Sequence, residues 1–62
     1  MWSKFQIGNI IKHKDRADEF IIVSKAPREN TFYYGVRNLK DYSIVSFKED
    51  EIELVRKGDY YG

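Results

Sequence analysis

Four carboxylates, Glu49, Asp50, Glu51 and Glu53, crowd into one short stretch of the chain. General acid–base catalysis needs carboxyls whose surroundings set their pKa values apart, in a site sheltered from water. Three consecutive acids read instead as a solvated turn, which supplies neither condition. Oxygen ligands would also suit Ca²⁺ or Mg²⁺, but the stretch lacks the alternating acids and central glycine of an EF-hand loop. The better reading is a charged edge that discourages association between strands. His13 is the single histidine and sits between Lys12 and Lys14, with no serine or cysteine partner recognisable by motif. It reads as a strand-end residue, half-buried or hydrogen-bonded. Cysteine is absent, which excludes disulfides, thiolate nucleophiles and Cys-based zinc sites. The glycines stand singly at 8, 35, 58 and 62, so no glycine loop cradles a phosphate. No catalytic residue, cofactor or metal is assigned, and a non-enzymatic protein is expected.

Binding chemistry is better represented, because basic side chains are interleaved with aromatic ones. Lys12, Lys14 and Arg16 flank one polar loop, Tyr33 and Arg37 share a strand face, and Tyr42 lies in the next turn. Tyrosine and arginine anchor protein interfaces. Rings also stack on bases, and cations neutralise phosphates. A purely structural role is the third reading, with Tyr33 and Tyr42 covering a small core under Lys and Arg stems. The first expectation is a module that docks on a protein partner through Tyr33, Arg37, Tyr42 and Trp2. The alternative is a nucleic-acid accessory protein using Lys12, Lys14, Arg16, Lys25 and Arg37. Eleven Lys and Arg against ten Asp and Glu give a net charge of only +1, unlike a dedicated nucleic-acid binder. The charge is uneven. Residues 1–40 hold eight basic and four acidic side chains, and residues 41–62 hold three and six.

These residues need a scaffold, and 62 residues make only one domain, taken as 1–62 with its core in 5–55 and a tail over 56–62. A chain this short buries only about 60% of the surface it exposes when unfolded, so nearly every aliphatic residue must serve the core. Enclosing a ligand pocket of about 300 Å³ is hard at this size. Ile, Val and Thr total twelve and Phe, Tyr and Trp total ten, against five Ala, Leu and Met. Branched and ring side chains suit a pleated surface and lose χ1 freedom in a helix, so a mostly β protein is predicted. No stretch approaches the roughly 20 apolar residues of a membrane helix, and the first residues do not resemble a signal peptide. A cytoplasmic monomer or weak homodimer is expected.

Residues 5–14 read as a first strand, with Phe5, Ile7 and Ile11 inward and a turn or bulge at Gly8-Asn9. Asp15 to Asp18 read as a loop. Glu19 to Ala26 contain Phe20-Ile21-Ile22-Val23, an apolar run of the kind covered on both sides. Pro27 to Thr31 read as a turn, with Asn30 suited to the left-handed region. Phe32 to Leu39 form a strand that alternates Tyr34 and Val36 against Tyr33, Gly35 and Arg37. Gly35 inside it signals a bulge, a bend or a close backbone approach. A turn follows over 38–42, then a strand over 43–47 with Val45 and Phe47 on one side. One helical turn over 49–52 would return Ile52 to the core, with Leu54-Val55 as a last strand. A longer helix over about 48–57 is the competing reading.

The stretch Phe5-Gln6-Ile7-Gly8-Asn9-Ile10-Ile11-Lys12-His13 is similar to the "φ-x-x-Gly-Asp-x-Val" opening of bacterial KOW-type, CarD-type and Tudor-like barrels. Tyr34-Gly35-Val36 and Phe47-Lys48-Glu49-Asp50-Glu51-Ile52-Glu53-Leu54 resemble their middle strand and closing "aromatic-x-Glu-x-x-Leu" segment. The pattern resembles that of small bacterial and phage proteins of this type. It departs from the KOW motif at Asn9, where Asp is commoner, and at Asp18-Glu19, where that motif places a second glycine. The resemblance implies a five-stranded SH3-like barrel with one helical turn before its last strand.

Overall fold

The computed structural model describes residues 2–58. Five antiparallel strands form one sheet: β1 (Ile10–His13), β2 (Glu19–Arg28), β3 (Thr31–Asn38), β4 (Ile44–Lys48) and β5 (Ile52–Arg56). Their order across the sheet is β4-β3-β2-β1-β5. A 3-10 turn over Glu49–Glu51 links β4 to β5, which decides for the single turn against the longer helix. No helix among the described residues is long and apolar enough to cross a membrane.

Alternation along the strands builds the core. Ile11, Phe20, Ile22, Tyr34, Val36 and Ile52 are buried, joined by Phe5 ahead of β1. Ile52 enters the core directly after the 3-10 turn, while Asp50 and Glu51 stay in water. The His13 ring of β1 lies 4.8 Å from the Phe47 ring of β4, although two strands separate these elements in the sheet. The sheet is therefore curled over its own buried face. Phe47 also meets Phe20 edge-on at 5.1 Å, an orientation favoured by the ring quadrupoles.

Several local expectations are corrected. The first strand begins at Ile10 and not at Phe5, because residues 6–9 close a turn. The Asn9 N–H donates to the Gln6 carbonyl at 3.0 Å, and Gly8 takes a φ of 96° that a side chain would resist. This turn puts Ile7 at the surface and Ile10 in the interior. The 20–23 run is covered on one face only. The pairing of β2 with β3 slips between Ile22 and Ser24, so Val23 is a bulge and remains exposed. Opposite that bulge stands Gly35. A Cβ there would lie 2.4 Å from the Ser24 hydroxyl oxygen, so the neighbour is a side chain and not a backbone, and of the three readings of Gly35 the bulge is the one met, on the partner strand.

The Pro27–Thr31 turn is also corrected. The strand runs through Pro27 to Arg28, and only Glu29-Asn30 separate it from Thr31. Proline is tolerated because β1 covers β2 only as far as Ile22, leaving the far end of β2 as an open edge. In a two-residue hairpin the flanking pair Arg28–Thr31 is the bonded one, so position 27 faces that edge, where no ladder donor is needed. The left-handed φ of 53° falls on Glu29 and not on Asn30. β5 covers Ile52–Arg56, longer than Leu54-Val55, and takes Arg56 out of the tail. Leu54 and Val55 are exposed. Residues 59–62 of the expected tail lie outside the described residues.

Two stability outcomes follow. Phe47→Ala should cost about 3 kcal/mol by urea unfolding, because it removes a ring that spans β4 and the face of Phe20. Glu29→Gly should raise stability by about 0.5–1 kcal/mol, because it relieves a left-handed residue that carries a Cβ.

Candidate functional site

The outward residues of β3 are Tyr33, Gly35 and Arg37, as their alternation with buried Tyr34 and Val36 requires. Their cross-strand partners complete the outer face of the three-stranded part of the sheet. Tyr33 lies between Ala26 and Lys48, Gly35 between Ser24 and Ser46, and Arg37 between Ile21 and Ile44. Serine, glycine and serine side by side leave a shallow trough. It is a groove of about 550 Å³ bordered by Ala26, Arg28, Tyr33 and Ile44. Ile44 is 57% exposed at its rim.

The Arg28 guanidinium lies over the Tyr33 ring, 5.6 Å from its centroid. That stacking is a cation–π contact, and it holds a flat, positively charged wall along the groove. Arg28 was missed by sequence reasoning because Pro27 was taken to end the strand. A two-residue loop at Glu29-Asn30 would have placed it beside Tyr33. Tyr42 is displayed in the β3–β4 turn, 70% exposed, with a left-handed φ of 64°. Trp2 is 93% exposed and belongs to the segment before β1.

The remaining cations are arranged differently. Lys12 sits in the ladder between Glu19 and Glu53. Lys14 is exposed beyond the end of β1, where its N–H donates to the Glu51 carbonyl at 2.9 Å. Arg16 pairs with Asp18 at 2.9 Å and lies 5.3 Å from the centroid of the Phe20 ring. Lys25 donates to the Ser3 hydroxyl at 2.9 Å and to the Gln6 side-chain oxygen at 3.1 Å. Tyr33 and Arg37 are thus brought together on one face, while Lys12, Lys14 and Arg16 gather around β1 and the first loop beside carboxylates.

The polar groups nearest the core serve the fold. The buried Tyr34 hydroxyl donates to Glu49 Oε2 at 2.6 Å, accepts from the Phe5 N–H at 3.4 Å, and shares that carboxylate oxygen with the Lys4 N–H at 2.9 Å. Burial, and then the hydrogen bond to Glu49, push the Tyr34 phenol up to about 12. Asn38 is buried as well. Its side-chain oxygen accepts from the Lys40 N–H at 2.7 Å, and its amide donates to Asp18 at 3.1 Å. Asp41 accepts from the Ser43 hydroxyl and N–H, which hold its carboxyl below the usual carboxylate range. The His13 Nδ1 accepts from the Asp15 N–H at 3.0 Å, the hydrogen-bonded strand-end role expected of it. No group of three or more His, Cys, Asp or Glu able to hold a metal ion occurs among the described residues.

No family model, curated protein or solved structure matches the chain.

Tyr34 gives this region a pH dependence. Its pKa is higher folded than unfolded, so its contribution is complete below pH 10 and fades as pH rises from 10 towards about 12. Stability measured by urea unfolding should fall across that window by roughly 2–3 kcal/mol more in the parent than in Tyr34→Phe. Equal slopes would mean the phenol does not titrate with folding.

Proposed function

We propose that the chain is a non-enzymatic binding module, an SH3-like barrel that docks on a protein partner through the outer face of β2–β4. The barrel reading draws on the curl of the sheet, which carries His13 against Phe47. The docking reading draws on one observation above the rest. Tyr33, stacked under Arg28, borders a groove floored by Gly35 and its serine neighbours, and Arg37 stands next along the same face of β3, paired with the rim residue Ile44. Rigid aromatic and arginine anchors beside a trough suit a protein surface, because they lose little side-chain entropy on contact. Tyr42 extends the surface at its β3–β4 turn. The protein acts in the cytoplasm in this reading, without cofactor or metal.

Protein is preferred over nucleic acid because two cations of the first half, Lys12 and Arg16, stand beside carboxylates. Lys12 lies between Glu19 and Glu53, and Arg16 is bonded to Asp18. A phosphate backbone would have to displace Asp18 from Arg16 and approach Lys12 past two acids. A tagged chain should capture its partner from an extract of its native cells, and Tyr33→Ala combined with Arg37→Ala should abolish that capture while leaving the unfolding midpoint unchanged. Retention of every partner by the double variant would refute the assignment of this face. Loss of the captured material on nuclease treatment would favour nucleic acid instead.

A further inference from the structure

The sheet has two outer strands, and their edges differ. β5 carries Glu53 and Arg56 and has a register shift against β1. The overhanging end of β2 carries Pro27 and the Val23 bulge. Charges, prolines and bulges are the devices by which exposed edges resist further pairing. β4 runs Ile44-Val45-Ser46-Phe47-Lys48, with no proline, no bulge against β3, and its one charge at the end.

The hydrogen-bond alternation shows which groups of β4 are open. Asn38 donates to the Ser43 carbonyl at 2.8 Å, so 38 and 43 form a bonded pair. The register then makes Val36–Val45 and Tyr34–Phe47 the next bonded pairs. The N–H and C=O groups of Ile44 and Ser46 therefore point away from β3, and no described residue takes them. The next outward N–H, that of Lys48, is already held by Glu51 Oε1 at 2.9 Å. The open stretch is thus Ile44 to Ser46, stopped by a carboxylate at one end and by the 39–42 turn at the other.

The charged residues on the outward faces of β3 and β4 share one sign. On the outward faces of β3 and β4 the charged residues are Arg37 and Lys48, and Arg28 stands behind them on β2. Glu29 in the β2–β3 turn and Asp50 in the 3-10 turn stand beyond the Lys48 end, and the other nearby acids are held by hydrogen bonds. Asp41 is bonded to Ser43, Glu49 to Tyr34 and Lys4, and Glu51 to Lys48. A side chain on an added strand, set beside Ser46, would meet only serine and glycine across the trough and could lean over towards Arg37.

We propose that an extended, acidic segment of a protein partner adds as a sixth strand along β4, its backbone bonded to Ile44 and Ser46 and its outward carboxylates over Arg37 and Lys48. Backbone pairing supplies affinity in such strand addition, and alternate side chains supply selectivity. A second copy of this chain fits less well, because pairing two β4 edges extends the basic face with another. The proposal rests on the docking reading above and names the chemistry of its partner.

The probe is a blocked hexapeptide that alternates glutamate and valine, titrated into the ¹⁵N-labelled chain. Amide shifts should be largest at Ile44 and Ser46 and should saturate. Replacing the glutamates with lysine, or Arg37→Glu in the chain, should weaken binding by about tenfold or more. Two N-methylated peptides, one methylated on its glutamates and one on its valines, decide the geometry. Only alternate N–H groups of an added strand face β4, so one of them should lose binding and the other keep it. Ser46→Pro should also abolish binding with the fold retained, because that N–H faces outward.

Equal binding of both N-methylated peptides would overturn strand addition. If Tyr33 and Arg37 still shifted with them, the docking face itself would stand. Absence of binding, or equal binding of the lysine peptide, would overturn the acidic partner, while partner capture by the Tyr33 and Arg37 variants tests the face independently. A dimer in sedimentation that Ser46→Pro dissociates would give the edge to a second copy and overturn the proposal.

Discussion

A phenol hydroxyl cannot be buried without partners, and Tyr34 places one at the inner end of this core. The partners it finds determine how the chain is wrapped. Glu49 supplies the acceptor, so the 3-10 turn must sit against β3 and not extend into solvent. The same carboxylate oxygen takes the Lys4 N–H, and the phenol oxygen takes that of Phe5. One side chain thereby ties residues 4 and 5, β3 and the 3-10 turn together. Phe5, edge-on to the Tyr34 ring at 5.6 Å, enters the core as a consequence of that tie. The direction in which Ile52 returns is set by the same turn.

The acids and cations of the chain therefore divide by task. Most of the acidic stretch that looked like a free surface is committed: Glu49 to the core phenol and Glu51 to the Lys48 N–H, with Glu53 in the ladder beside Lys12. Around the first loop, Arg16, Asp18 and Asn38 are bound to one another. Neither Arg37 nor Lys48, on the outer face of β3 and β4, is in an ion pair among the described residues. A net charge near zero thus conceals a β3–β4 face whose two charged residues, Arg37 and Lys48, are both basic.

Much of the fold was legible because period-two alternation is a strong signal when one face is buried. Tyr34 and Val36 against Tyr33 and Arg37 are legible in the sequence, as is the single turn before Ile52. What failed were features decided by distant neighbours. Pro27 was taken as a stop, because only the shortness of β1 tells that this part of β2 is an edge. Val23 was placed inside, because a bulge opposite a glycine is settled by the partner strand. The inward assignment of Ile7 failed through the turn at Gly8, which reverses the alternation after Phe5. Of the candidate surface, Tyr33 and Arg37 were recoverable from parity alone. Arg28 was not, and the bond from Tyr34 to Glu49 spans fifteen positions that no local pattern connects.

The position of β1 has a consequence for how the chain is made. It lies between β2 and β5, so one of its flanks is completed only by the last strand in the sequence. The phenol anchor also waits for residue 49. A nascent polypeptide can form the β2–β3–β4 meander early and lay β1 along β2, from neighbouring segments, but the other flank of β1 waits for residues 52–56. Closure of the core thus depends on joining segments far apart in the chain, the slow kind of step in folding.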